Sequence, residues 1–118
     1  MKGRHLKMGS TAVEFKTMTK GDWHVLQAIG KIDTTTASIA ETAAMAAFSK
    51  TQKLALDMSQ LEYISSAGLR ILLRVGKKAK KENKIFVLCS VSGLVKEILE
   101  DSGTNMLFKI YDSPEDLN

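Results

Sequence analysis

The residues best placed to do chemistry lie in one stretch, Ser59-Gln60-Leu61-Glu62-Tyr63-Ile64-Ser65-Ser66-Ala67-Gly68-Leu69-Arg70. Two adjacent serines there precede a helix-periodic run, so both fall at a helix start. Ser65 has a structural explanation: as N-cap, its hydroxyl accepts from the backbone N–H of Ala67 or Gly68. Ser66 is not needed for that. It projects from the first turn, where free N–H groups and the positive end of the helix dipole favour an anion. Arg70, four residues on, shares its face. A phosphoryl group on Ser66, with a charge of about −1.5 to −2, is compatible with the domain's own fold and acts on whatever docks there.

The other reactive side chains form no catalytic pattern. His5 lies near the N-terminus, and His24 sits in a strand on the opposite phase to Trp23. Neither has a carboxylate or cysteine at a diagnostic spacing, so both read as surface histidines. Cys89 ends an apolar run, has no partner base and behaves as a small hydrophobe. One thiol makes neither an intramolecular disulfide nor a thiolate metal site, which points to a reducing compartment. Gly30-Lys31 lacks the upstream glycine of a phosphate loop, and no dinucleotide fingerprint is present. The expectation is a non-enzymatic protein without cofactor or metal. Lys77, Lys78, Lys80, Lys81 and Lys84 supply much of the net charge of +4. Without interleaved aromatics they read as a solvated helix end rather than a nucleic-acid contact. No apolar run reaches the roughly 18 residues of a membrane span, so a cytoplasmic protein without membrane insertion is expected.

The elements that position the serines follow from pattern. At 118 residues, 44% hydrophobic and 25% charged, the chain is one globular domain's worth. Residues 1–10 read as a flexible leader and residues 11–118 as the domain. Thr11 to Met18 and Trp23 to Ile29 read as two strands of a hairpin turning at Gly21-Asp22, with Trp23, Val25 and Ile29 on one phase. Asp33, Thr34, Thr35 and Thr36 are helix-start residues for an alanine-rich helix to Phe48. Lys53 to Met58 is a strand and Ser59 to Ile64 a loop. The next helix, to about Glu82, directs Leu69, Leu72, Leu73, Gly76 and Ala79 at the sheet and Arg70, Arg74, Lys77 and Lys81 outward. Ile85 to Cys89 is a strand buried on both faces. Ser92 caps a helix over Gly93 to Glu100, with Gly103 as terminator. Leu107 to Tyr111 is the last strand, and Ser113-Pro114-Glu115-Asp116 starts a final helix. The order is β-β-α-β-α-β-α-β-(α): an α/β fold with a mixed sheet of about five strands. Right-handed crossovers put the helices mainly on one face.

Within this frame, Asp57-Met58-Ser59, Leu61 and Tyr63-Ile64-Ser65-Ser66-Ala67-Gly68-Leu69 together resemble the signature of the STAS domain family, which includes the bacterial anti-sigma factor antagonists. Gly30-Lys31-Ile32-Asp33 resembles the family's Gly-x-hydrophobic-Asp segment, and the element order matches from Thr11 to Asn118. The resemblance implies partner switching. An unphosphorylated antagonist binds an ATP-bearing anti-sigma factor serine kinase and so frees the sigma factor. The kinase phosphorylates the serine matching Ser66, and a serine phosphatase restores it. The implied contact face takes in Asp33, Thr34, Ser65, Ser66, Ala67, Gly68, Leu69, Arg70 and Arg74. Ser65 stands where many members carry Asp; it still caps the helix and is a second, less well matched candidate acceptor. The other reading the family allows is a non-switching subunit of a transporter complex, either a lipid ABC transporter or an anion transporter partner. There the serines only cap the helix and the cationic stripe docks on the transporter.

Overall fold

The computed structural model describes residues 13–118. The proposed leader, and the first two residues of the expected first strand, lie outside the described residues. Five strands form one sheet in the order β1-β2-β3-β4-β5. They are β1 Val13–Lys20, β2 Trp23–Ile32, β3 Lys53–Ile64, β4 Ile85–Cys89 and β5 Ile110–Tyr111. β1 and β2 pair antiparallel as a hairpin; β2-β3, β3-β4 and β4-β5 are parallel. Each parallel step needs a crossover, and these are α1 Ala37–Phe48, α2 Ser66–Lys81 and α3 Gly93–Asp101. Strand order advances steadily, so right-handed crossovers bring all three helices to one face.

Strand alternation feeds two cores. Leu26, Ala28, Leu54, Leu56 and Leu88 pack beneath the helices. Trp23, Val25, Ala55, Val87 and Cys89 point the other way and are covered with Leu117. The carbonyl of Asn118 accepts from Trp23 Nε1 at 2.8 Å, and Lys20 Nζ donates to the carbonyls of Glu115 and Leu117. The C-terminal segment therefore roofs the helix-free face.

Several expectations change. β3 runs six residues beyond Met58, because Ser59 to Ile64 continue to pair with β2 instead of looping. The pairing slips between Gln27 and Ile29 and again between Gly30 and Lys31. Both slips place the extra residue on β3, so β2 keeps its alternation and Ile29 stays on the phase of Trp23 and Val25. Gly30 sits at the second slip with φ +106°, a conformation costly for residues with a Cβ. The expected strand over Leu107 to Tyr111 is only Ile110–Tyr111, since Thr104–Leu107 form a 3-10 turn. The C-terminal helix is a single 3-10 turn, Pro114–Asp116, closed by a Ser113–Asp116 capping box. Ser92 stands at the N-cap of α3, but its side chain makes no cap bond. Gly103 ends α3 as expected, with φ +76°.

The inward face of α2 is also rotated from the expected one. Gly68, Ile71, Leu72, Val75 and Ala79 are buried, while Leu69, Leu73 and Gly76 are half-buried. The N-terminal anchoring of the helix, described next, sets this rotation.

Candidate functional site

Ile32 and Ile64 are paired at the ends of β2 and β3, so the segments that leave them run side by side. From β3 comes Ser65, whose N–H donates back to the Ile32 carbonyl at 2.8 Å. That bond fixes the start of α2 against β2. The Ser65 hydroxyl accepts from the Gly68 amide at 3.3 Å, as the N-cap reading expects. Gly68 then lies against both strand ends. A Cβ built there would stand 2.6 Å from Ile64 Cγ1, 2.9 Å from Ile32 Cγ2 and 3.0 Å from the Ile32 carbonyl oxygen. Only glycine admits this approach, and the approach sets which face of α2 turns inward.

From β2 comes the turn Asp33 to Thr36. Thr36 is fully buried; its hydroxyl donates to the Lys31 carbonyl at 2.9 Å and accepts from the Asp33 amide at 2.8 Å. Asp33 Oδ1 accepts from the Thr35 hydroxyl at 2.7 Å and the Thr35 amide at 2.9 Å. Those bonds hold the Asp33 carboxyl below its ordinary pKa, with the Thr35 hydroxyl the largest cause. The helix-start residues thus tie a closed turn, and α1 begins at Ala37 with no side-chain cap bond from Thr36.

Ser66 faces solvent, Ser65 is half-buried and Gly68 is buried beneath them. Ala67 and Leu69 are half-buried, Thr34 and Arg70 are exposed, and Asp33 is half-buried at the edge. These residues form one surface at the C-terminal ends of β2 and β3. Arg74, one turn further along α2, is exposed, and its Nε contacts Glu41 Oε2 at 3.0 Å, joining α2 to α1. Arg70, Lys77 and Lys81 are exposed along the outer side of α2, as the spacing expects.

Helix geometry leaves the amides of Ser66 and Ala67 without intrahelical acceptors. Negative charge on Ser66 Oγ therefore lies beside free N–H groups, at the positive end of the helix and on the face of Arg70. The patch also includes two residues that belong to the quoted motifs but not to the expected contact face: Lys31, exposed near the end of β2, and Tyr63, 38% exposed and paired with it on β3. With residues 59–64 read as a loop, Tyr63 had no assignable direction; its pairing to Lys31 gives it one.

The side chains set aside as non-catalytic remain scattered. His24 is half-buried in β2, and His5 lies outside the described residues. Burial, helped by the charges of Asp57 and Asp116, pushes the Cys89 thiol up to about 11. A thiol raised this far is protonated at neutral pH. Among the described residues no three His, Cys, Asp or Glu side chains cluster as a metal site, and no helix is long and apolar enough to cross a membrane.

The STAS domain family model matches residues 14–117, nearly the whole described chain. The chain belongs to the STAS domain family. A relative from Bordetella bronchiseptica named as an anti-sigma factor antagonist, BtrV, is 39% identical over 64 residues. That match spans 54% of this chain and about half, 55%, of BtrV. Among solved structures, an anti-sigma factor antagonist from Mycobacterium paratuberculosis superposes with a TM-score of 0.81 at 24% identity, covering 92% of each chain. An anti-sigma-factor antagonist (STAS) domain protein from Planctomyces limnophilus gives 0.75 at 20% identity, covering 86% of this chain and 92% of its own. At these identities the likeness is one of fold: a five-stranded mixed sheet with three helices.

Proposed function

We propose that this STAS domain is an anti-sigma factor antagonist. It docks on an anti-sigma factor serine kinase through the patch around the start of α2 and is released when that kinase phosphorylates Ser66. The chief support is the contrast between the two serines. Ser65 commits its hydroxyl to the Gly68 amide, while Ser66 presents its own to solvent. In the transfer, Ser66 Oγ attacks the γ-phosphorus of ATP on the kinase, the hydroxyl proton passes to a base of the kinase, and ADP leaves. This chain supplies the acceptor and no catalytic group. A serine phosphatase reverses the step by hydrolysis.

The contact face is Asp33, Thr34, Ser65, Ser66, Ala67, Leu69, Arg70 and Arg74, with Gly68 beneath as support. Docked, this face is partly desolvated. A dianion there meets like charge or lacks a partner, and a loss of about 2.8 kcal/mol is a hundredfold in affinity. Within the free domain the same charge is favoured by the α2 N-terminus, so modification changes docking and leaves the fold intact.

The reading is tested by incubating the protein with a candidate anti-sigma factor kinase, ATP and Mg²⁺, then measuring intact mass and mapping the modified peptide. One phosphate on Ser66 is expected, absent from Ser66→Ala and retained in Ser65→Ala. Phosphate on Ser65, or none with a kinase shown to bind, overturns the assignment.

A further inference from the structure

At the opposite end of α2 from Ser66, a groove of about 550 Å³ lies between the second half of that helix, the start of β4 and the turn after α3. Leu73, Gly76, Phe86 and Phe108 form its apolar wall, and Ile85 and Leu107 stand at its mouth. Leu107 is 65% exposed and Ile85 47%, so two large apolar side chains remain in water beside an apolar recess. Gly76 lets Phe108 approach: a Cβ there would stand 3.0 Å from the ring. Phe108 in turn packs edge-on to Phe86, with ring centroids 5.8 Å apart.

The groove's charge has one sign. Lys77, Lys80 and Lys84 line it and no acidic residue does. Lys84 is committed, donating to the Phe48 carbonyl and pairing with Glu82. Lys77 and Lys80 are exposed and make no ion pair among the described residues. No aromatic is interleaved in the lysine run of the sequence; the fold sets Phe86 and Phe108 at its flank.

We propose that this groove docks a short acidic segment of a partner protein that inserts one or two large apolar side chains. Uncompensated lysines at the rim select the acidic flanks, and the recess takes the apolar anchor. Lys80 lies 14 positions beyond Ser66, about 21 Å along the helix, so docking here is indifferent to the charge on Ser66.

The test uses the full chain and a fluorescein-labelled amphipathic probe of about 15 residues, rich in Glu, with Leu and Phe at i and i+4. Binding is followed by anisotropy. Saturable binding that weakens with added salt is expected, at least tenfold weaker for a Lys-for-Glu version of the probe. Lys77→Glu/Lys80→Glu and Leu107→Asp should each weaken it at least tenfold, and Ser66→Asp by less than twofold. Circular dichroism checks the fold, and Lys77→Gln/Lys80→Gln serves if charge reversal disturbs it. Equal binding by wild type and the lysine variants overturns the proposal. So does preference for phosphatidylglycerol-containing vesicles over the probe, or a self-association that Leu107→Asp abolishes, since these assign the groove to a membrane or a second copy.

Discussion

The Ser65 hydroxyl accepts from the Gly68 amide at 3.3 Å, whereas Ser66 faces solvent one position on. Phosphorylating Ser65 would replace a cap worth about 1 kcal/mol with a group that must find new partners. Phosphorylating Ser66 leaves the Ser65 cap in place. Beneath both, Gly68 is the residue on which their placement depends. Gly68→Ala puts a methyl 2.6 Å from Ile64 Cγ1 and 3.0 Å from the backbone oxygen of Ile32, and the latter cannot rotate away. The expected cost is about 1–3 kcal/mol, read from urea unfolding, together with weaker docking as the start of α2 is pushed off the sheet. Unchanged stability would show that α2 does not depend on this contact. The two serines were legible in the sequence because capping is local chemistry. Tyr63 was not, because its direction depends on which strand residue it opposes.

Among the elements, β3 departs furthest from expectation. Ser59, Gln60 and Glu62 have loop-like polarity, yet they extend a strand whose buried residues Met58, Leu61 and Ile64 fall three apart. Neither strand nor helix periodicity describes that spacing; it follows from the slips against β2, a tertiary feature. The face of α2 was misread for a related reason. Its leucines allow two neighbouring inward faces, and the choice rests on Gly68 meeting Ile32 and Ile64. β5 is shorter than expected because the apolar residues Met106 and Leu107 are left exposed instead of entering the sheet. The turn between β2 and α1 was legible as a helix start but not as a closed knot around Thr36. Thr36→Val keeps the volume and removes the hydroxyl's bonds to the Asp33 amide and the Lys31 carbonyl, along with its 3.3 Å contact with Asp33 Oδ1, leaving the amide and carbonyl to find other partners. A loss of about 1–3 kcal/mol in denaturant unfolding is expected, and a loss below 0.5 kcal/mol would mean that those groups are satisfied elsewhere.

For the molecule as a whole, the one-sided helix layer leaves the opposite sheet face to the C-terminal segment. Leu117 is buried at 3% exposure against Trp23, Val25 and Ala55. Leu117→Ala should cost about 2 kcal/mol and shift the emission of Trp23, the only tryptophan, to longer wavelength. Unshifted emission would mean that the roof does not shield the indole. The sheet order and the one-sided helices were readable from the strand-helix alternation and crossover handedness. The roof was not, since Leu117 carries no signal of its partner some ninety positions away. The arrangement presents the ends of β2 and β3, with the start of α2, as an open surface on a rigid base, where charge on one hydroxyl is proposed to govern binding. Isothermal titration against the anti-sigma factor kinase, comparing unmodified protein with protein phosphorylated at Ser66, measures this directly. Affinity is expected to fall about a hundredfold, with Ser66→Ala binding like the unmodified protein. Equal affinities for the two forms would contradict it.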